Sequence, residues 1–423
     1  ESYQKYGGVL TFARSVGYAV VKKPEGYTTV KVDQIIQEYE KKSANEQQST
    51  AKQYPNIITV VNETFADIKV LGDFKTNEDY MPYFHSLKKN CVTGYTYASI
   101  VGGQTANTEF ELLTGNTLGF LSAGTTAFQL YIHGQMPSLV SNLKAEGYSG
   151  NKAMHPFNPY NYNRPAVYKD FGFTDFIDKF DFPKNVKRVR EYISDEANVD
   201  RIISEYEKNR KKTDQPFYMY NMTIQNHSPY DKDAANFKQP IKIESSKYDA
   251  EANRYLNLIK YSDDSLKQLT SYFEKCKEPT IILFLGDHQP RLTDEFMNKI
   301  TNGQYQTWSS EQMMKRYQVP FVIWANYDIK EQHIEKTSMN YIQSILTKTA
   351  GVKMTGYQRF LNEVRKEVPT ITSQGYWGKN GKFYQINDKG SPYYGIIQKY
   401  RMIQYNMMFD KKNRRDSFFE VSK

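Results

Sequence analysis

The sequence predicts an α/β fold: a central, mostly parallel sheet flanked by helices, followed by a small C-terminal subdomain. Three observations carry that expectation. Four short apolar runs read as buried strands: Asn56–Val61, Phe217–Ile224, Thr280–Leu285 and Pro320–Trp324. Helical stretches lie between them, and strands alternating with helices build parallel sheets. Polar, ligand-capable residues follow three of the runs, at the strand ends where open α/β sheets bind their ligands.

Along the chain, residues 1–50 are mixed and polar. Pro24 and Gly26 break any long helix there, and Val32–Ala44 reads as a short charged one, so this segment is an arm or linker leading into the main domain, residues 51–350. Within that domain, Leu139–Gly147, Tyr192–Lys212 and Asn253–Lys275 read as helices. The last of these places Tyr255, Leu258, Ile259, Ser262, Leu266, Leu269, Tyr272 and Phe273 on one stripe. Residues 351–423 form the subdomain. Asn380-Gly381 between Tyr376-Trp377-Gly378 and Phe383-Tyr384-Gln385 signals a β-hairpin, and Ile396–Phe409 a final helix. The tail with Lys411, Lys412, Arg414 and Arg415 reads as solvated, with contact to an anionic membrane surface as the sharper alternative.

Composition bounds the function. Of 423 residues, 39% are hydrophobic and 24% charged, enough to bury a core and unlike a disordered chain. The net charge of +9 favours an anionic partner. No nucleic-acid-binding motif appears, so nucleic acid is not expected as that partner. The aromatic share, 15%, is high, and most of these rings are assigned to core or to surface. Ile281–Leu285 is among the longest apolar runs, far short of the ~20 residues of a membrane span. No signal-peptide pattern opens the chain, and it starts at Glu1. The expectation is a soluble portion separated from a signal or membrane anchor. Cys91 and Cys276 exclude a disulfide-dense scaffold and a cysteine zinc cluster, and read as unpaired thiols. The sequons at Asn62, Asn221 and Asn226 are discounted as glycosylation sites, the first two because they fall in or at the ends of buried strands.

The strand ends hold the chemistry. The first strand runs into Asn62-Glu63-Thr64, the second into Gln225-Asn226-His227, and the third into Gly286-Asp287-His288-Gln289-Pro290. Glu63, Asp287 and His288 form a carboxylate-rich set with one imidazole, which suits Mn²⁺, Mg²⁺ or Zn²⁺. A buried Asp–His hydrogen-bonded pair is the plainer reading of the dipeptide alone. Gly102-Gly103-Gln104-Thr105 precedes a helical pattern and puts Thr105 near a helix N-terminus, where free amides stabilise an alkoxide and bind phosphate. The plainer alternative is an N-cap threonine with Thr108 or Glu109 completing a capping box. The hydroxyl becomes a nucleophile only where a metal lowers its pKa. The loop from His155 through Tyr162 to Arg164 ends in a guanidinium suited to bidentate phosphate contact.

Together these segments resemble the lipoteichoic acid synthase family, extracellular glycerol-phosphate transferases within the alkaline phosphatase/sulfatase superfamily. The matching pieces are Asn62-Glu63-Thr64, Gly103-Gln104-Thr105 through Glu109-Phe110, His155 through Tyr162 to Arg164, Asn226-His227-Ser-Pro-Tyr230, Gly286-Asp287-His288 and Gln404-Tyr405-Asn406. They span roughly residues 50–410. The resemblance implies a sulfatase-like fold, and Glu63, Thr105, Asp287 and His288 as ligands of a divalent metal, usually Mn²⁺. It implies Thr105 as nucleophile, and His155, Arg164 and His227 as contacts to glycerol phosphate, with Tyr162 stacking on a glycerol unit. It further implies phosphatidylglycerol as donor, a teichoic acid or wall polysaccharide as acceptor, and a position at the membrane surface, outside a Gram-positive cell. Polymerising relatives often carry Trp at the place of Tyr162 and Asp at that of Asn107, which leaves the acceptor open. Other superfamily phosphotransferases or phosphodiesterases compete with this reading. The Cys/Ser-x-Pro-x-Arg signature of a formylglycine sulfatase is absent at both Thr105 and Cys91, and two cysteines argue against a disulfide-rich phosphoethanolamine transferase. A non-catalytic module that binds wall polymer is the remaining alternative.

Overall fold

The computed structural model describes residues 21–43, 53–244 and 249–421. Its strands are β1 (Asn56–Asn62), β2 (Cys91–Tyr97), β3 (Ser149–Met154), β4 (Asp175–Ile177), β5 (Arg188–Val189), β6 (Tyr192–Ile193), β7 (Phe217–Met222), β8 (Thr280–Gly286), β9 (Gln318–Ala325), β10 (Gln332–Ser338), β11 (Thr370–Thr372), β12 (Gly375–Trp377) and β13 (Phe383–Tyr384). Eight form one sheet in the order β10-β2-β9-β8-β1-β7-β3-β4. Every neighbouring pair is parallel except those of β9, which runs antiparallel to β2 and β8.

The four predicted strands are β1, β7, β8 and β9, and they are contiguous around the centre except for their outer neighbours. All residues of β1, β7 and β8 are buried, which is why each is a continuous apolar run. Side chains alternate between two core clusters. Ile57, Val61, Tyr218, Tyr220, Ile281 and Leu283 join one, with the helices Thr105–Thr114, Met339–Thr349 and Gly356–Glu367. Ile58, Val60, Met219, Ile282 and Phe284 join the other, with Asp195–Arg210 and Ala250–Phe273. Strands β2, β3, β4 and β10 carry no such run. β2 is interrupted by Thr and Gly, β3 and β10 mix polar and charged residues with few apolar ones, and β4 is only three residues long; β4 and β10 form the sheet edges.

Two helical expectations shift. The helix expected from Tyr192 starts at Asp195, capped by the Ser194 side chain, and Tyr192–Ile193 instead pairs with β5. The helix expected at Val32–Ala44 spans Thr29–Lys42, and Ala44 lies outside the described residues. The hairpin forms at Asn380-Gly381, where Gly381 has a φ of 75°, and β11 adds a third strand to it. Tyr357, Phe360, Tyr400, Ile403, Phe418 and Phe419 belong to the same core cluster as Val32, Ile35 and Phe110. The Thr29–Lys42 helix is fastened to the C-terminal segment: Arg415 donates to both carboxylate oxygens of Asp33 at 2.6 and 2.8 Å, and Tyr27 to Asp410 at 2.8 Å. Part of the basic tail is therefore ion-paired, not freely solvated; Arg414 likewise meets Asp416. Cys91 and Cys276 are free thiols, and Asn62, Asn221 and Asn226 are buried. Among the described residues no helix is long and apolar enough to cross a membrane.

The register places the site. Asn62 lies opposite Gly286, and Val61 opposite Met222, so β1, β7 and β8 end level with one another. The chain leaving β1 then folds back across the end of β8. A Cβ on Gly286 would sit 1.8 Å from the carbonyl oxygen of Phe65. Glycine is thus required at the residue before Asp287. Gly286→Ala is expected to destabilise the protein by about 3 kcal/mol or more, as overpacking against backbone does. Chemical denaturation measures it; a loss under about 0.5 kcal/mol contradicts the packing described.

Candidate active site

Glu63 leaves β1 as Asp287 and His288 leave β8, and one ligand atom from each lies within 4.8 Å of the others, all buried. Backbone amides hold the cluster: Thr64 and His288 both donate to Oδ1 of Asp287, at 2.6 and 2.8 Å. The Thr64 hydroxyl donates to Oε1 of Glu63 at 2.8 Å. His288 gives its Nδ1 proton to the carbonyl of Gln289 at 3.0 Å, since a carbonyl can only accept. In the neutral ring, Nε2 is then a bare lone pair. It faces Asp287 Oδ2 at 3.2 Å and Glu63 Oε1 at 3.8 Å. The plain Asp–His hydrogen bond is therefore not made by the neutral ring, and both Asp287 Oδ2 and His288 Nε2 are buried without a hydrogen-bond partner. Burial, and then repulsion from Asp287, pushes the Glu63 carboxyl up to about 8. Hard oxygens and one imidazole lone pair, converging and uncompensated, fit a divalent cation.

Thr105 is the first residue of the Thr105–Thr114 helix. The N-cap is Gln104, in the left-handed region at φ 65°, and no side chain caps the helix. The expected capping box is absent, and the Thr105 hydroxyl instead donates to Oε2 of Glu63 at 3.4 Å. Thr108 ties the same helix turn to the end of β8, donating to the Asp287 carbonyl at 2.8 Å. The nucleophile candidate, the free amides of a helix N-terminus and the metal-fitting cluster are thereby fixed to each other.

Across the pocket, Arg164 is 2% exposed. Its Nε and Nη2 donate to Oε1 of Glu109 at 3.0 and 2.7 Å. The other Glu109 oxygen accepts from Tyr168 and, at 3.1 Å, from Tyr220. Glu109 is four residues beyond Thr105, so one helix carries both the hydroxyl and the anchor of the guanidinium. The guanidinium lies 5.1 Å over the Tyr162 ring. Tyr162 and Asn163 both take left-handed φ values, 59° and 58°, an unusual pair for side-chain-bearing residues and the local cost of turning Tyr162 to the pocket. His155 is buried and donates Nδ1–H to the Met222 carbonyl at 2.9 Å. Burial and the nearby Arg164 hold its pKa well below the ordinary range, so the ring is neutral and its Nε2 accepts. His227 likewise donates Nδ1–H, to the Ser228 carbonyl at 2.7 Å, and its ring packs on Phe157. One pocket is lined by Glu63, Thr105, His155, Tyr162, Arg164, His227 and His288. Every expected site residue except Asp287, whose carboxylate lies beneath it, lines that pocket. Asn107 does not; it is a loop anchor, accepting from the Ala127 amide at 2.9 Å and donating to the Thr125 carbonyl at 2.8 Å.

Sequence reasoning missed the layer beneath. Asp195, fully buried, accepts from Ser262 at 2.6 Å and Asn62 at 2.7 Å. Asn226 donates to Asn62, to Ser262 and to the Glu63 carbonyl at 3.0 Å. This network locks the ends of β1 and β7 together and fixes the backbone of Glu63. In sequence, Asp195 behind Ser194 looks like any acidic residue in a helix's first turn.

The description Sulfatase fits the family model that matches residues 55–352. Over 99% of its length the chain is 31% identical to a Rhizobium meliloti protein named "Putative cyclic beta-1,2-glucan modification protein", of which it covers 64%. Over 55% of its length it is 27% identical to the lipoteichoic acid synthase-like protein YvgJ of Bacillus subtilis, covering 36% of that protein. Its fold is shared with the Streptococcus pyogenes phosphoglycerol transferase GacH, solved in complex with sn-glycerol-1-phosphate: the TM-score is 0.76 at 20% identity, over 95% of this chain and all of that one.

The raised Glu63 pKa has a definite sign. Its stabilising share is present below the ordinary carboxylate pKa and is lost as pH rises through about 8. Without a cation, stability therefore falls from acid to mildly alkaline pH. A bound cation removes that fall and must displace the Glu63 proton, so affinity for Mn²⁺ rises with pH up to about 8. Calorimetric titration with Mn²⁺ near about pH 6.5, in buffers of different ionisation enthalpy, is expected to register proton release. Binding with no proton release contradicts the assignment of Glu63 as a ligand.

Proposed function

This chain belongs to the sulfatase family, and we propose that it is a metal-dependent glycerol-phosphate transferase that uses Thr105 as its nucleophile. The observation that carries the reading is the Thr105 hydroxyl itself, at a helix N-terminus and 3.4 Å from a carboxylate of the metal-fitting cluster. A divalent cation held by Glu63, Asp287, His288 and Thr105, Mn²⁺ by resemblance and Mg²⁺ or Zn²⁺ otherwise, supplies the charge that lowers the hydroxyl's pKa and neutralises phosphoryl oxygens.

The protein's own groups divide the rest. Thr105 Oγ1 attacks the phosphorus of phosphatidylglycerol, an Oγ1–P bond forms, and the bond from phosphorus to the diacylglycerol oxygen breaks. The threonine proton goes to solvent. His227, acting as the imidazolium with its Nδ1–H held by the Ser228 carbonyl, gives the leaving oxygen its Nε2 proton. An acceptor hydroxyl then attacks, returning a proton to His227, and Thr105 is released and reprotonated. Arg164, held charged by Glu109, and the helix amides bind the phosphoryl oxygens. His155, neutral and accepting, reads a hydroxyl of the glycerol. Among the pocket's lining residues the one carboxylate is Glu63, already part of the cluster, so an ethanolamine ammonium has no counter-charge of its own.

The donor and the site of action follow from the same reading: a phospholipid leaflet at the outer face of the cytoplasmic membrane. For the acceptor, the named role of the rhizobial relative supports a saccharide hydroxyl of an envelope polymer, with teichoic acid as the other polymer of the family resemblance.

Incubation with Mn²⁺ and fluorescent phosphatidylglycerol is expected to release diacylglycerol, and adding a glucan to give a product heavier by glycerol phosphate units in mass spectrometry. Thr105→Ala is expected to lower turnover by about 10³-fold or more while Mn²⁺ binding, with Glu63, Asp287 and His288 in place, weakens without being lost. Full activity in that variant overturns the mechanism; polymer binding without lipid turnover favours a non-catalytic module. Glu109→Gln is expected to cut kcat/KM by roughly 10–100-fold, through Arg164, with the melting temperature and donor turnover measured side by side.

A further inference from the structure

A second cavity, of about 550 Å³, opens beside the active pocket. Phe157 lines both, its one face on His227 and its other side in the cavity. Phe180, Phe182, Pro183, Tyr192 and Ile193 make up half of the remaining wall, and Lys179, Lys184, Arg188 and Glu191 most of the rest. The mechanism above uses none of them. Phe180 is 74% exposed and Tyr160, on the loop that carries Tyr162 and Arg164, is 79% exposed. They are two of three large apolar side chains left so exposed among the described residues; Phe180 lines this cavity, and Tyr160 directly precedes Asn161 and Tyr162, which line the active pocket. Phe180 is held outward by its turn: Asp178 accepts from the Phe180 amide at 2.7 Å, and Asp181 from the Asp178 amide at 2.8 Å. Those two carboxylates are thereby committed to the backbone. The cations around them face outward. Lys179 lies 5.0 Å over the Phe180 ring and 6.0 Å over that of Phe157, and Lys184 and Arg188 are exposed on the rim. Of the five Lys and Arg from Asp178 to Glu191, Lys187 pairs with Glu196 and Arg190 holds the carbonyls of Gln225, His227 and Pro229, which leaves Lys179, Lys184 and Arg188 at the cleft.

We propose that this cleft and its rim dock on an anionic phospholipid leaflet, with Phe180 and Tyr160 entering the interface and the Phe157–Phe182 wall receiving the glycerol-ester end of the donor. The inference rests on the phosphatidylglycerol reading, whose leaving group is apolar and needs a path out of the pocket past Phe157. Exposed rings flanked by cations match an anionic membrane interface, where apolar faces sink and Lys and Arg meet phosphates. A glycan fits less well, because the polar groups of the lining are mostly the cations Lys179, Lys184 and Arg188, with one carboxylate, Glu191, and no amide side chain to read neutral sugar hydroxyls.

The test uses phosphatidylserine–phosphatidylcholine vesicles, which are anionic yet hold no donor, together with Phe180→Ser and Lys184→Glu. Co-sedimentation is expected to weaken by about 10-fold in the double variant, and more steeply in low salt. Turnover of vesicular phosphatidylglycerol is expected to fall with it. Turnover of glycerol-phospho-p-nitrophenol, a donor with no acyl chain, is expected to stay at the wild-type rate, and melting is expected to be unchanged because both side chains are exposed. Unaltered vesicle binding overturns the proposal. So does an equal loss on both donors, or a loss of cyclic glucan binding with vesicle binding intact, which would make the cleft a saccharide subsite. If wild-type protein turns over neither donor, the transferase reading fails, while the vesicle measurement still decides the docking surface.

Discussion

Two carboxylates and an imidazole lone pair are forced together, buried, at the ends of neighbouring parallel strands. Such a cluster is costly by itself, as the raised Glu63 pKa reflects. It persists because the scaffold leaves it no alternative. The β1–β8 register sets Glu63 and Asp287 at one height, the absence of a Cβ at Gly286 lets the chain from β1 cross over, and backbone amides grip Asp287 Oδ1. A divalent cation would relieve the repulsion, and the geometry that makes the cluster costly is the one that suits it.

The opposite problem is solved across the pocket. A fully buried guanidinium needs a buried partner, and Glu109 provides it. Because Glu109 and Thr105 share a helix, that helix positions both the Arg164 guanidinium and the hydroxyl. The tyrosine excess has its explanation here. Tyr168 and Tyr220 donate to Glu109, Tyr255 to the Thr64 and Ala66 carbonyls, and Tyr230 to the Asn226 carbonyl. Tyrosine fills core volume while delivering a donor where a buried acceptor needs one, so the rings that pack the core also frame the site.

The central strands, the long amphipathic helix and the residues at the strand ends were legible because each has a local signature: a continuous β-branched run, a 3.6-residue stripe, a polar step after an apolar run. Strands β2, β3, β4 and β10 were not. Ser149–Met154 and Gln332–Ser338 are polar segments made into strands by the neighbours they pair with. Asn107 illustrates the converse: it looked like a departure in a catalytic motif and proves to hold a loop.

By itself the sequence determined the α/β class, the order of strand ends bearing Glu63, His227, Asp287 and His288, and Thr105 as a hydroxyl at a helix start. These are properties of short windows, set by periodicity and residue type. Only the tertiary structure decided that Thr105 faces Glu63 instead of capping its helix, that His288 Nε2 is bare, that Glu109 anchors Arg164, and that Asp195 holds β1 to β7. The pairings of Thr105, Arg164 and Asp195 join residues dozens to more than a hundred positions apart, and the His288 ring is set by a backbone turn to Gln289 that only the fold fixes; no local pattern encodes which distant partner a buried polar group will find.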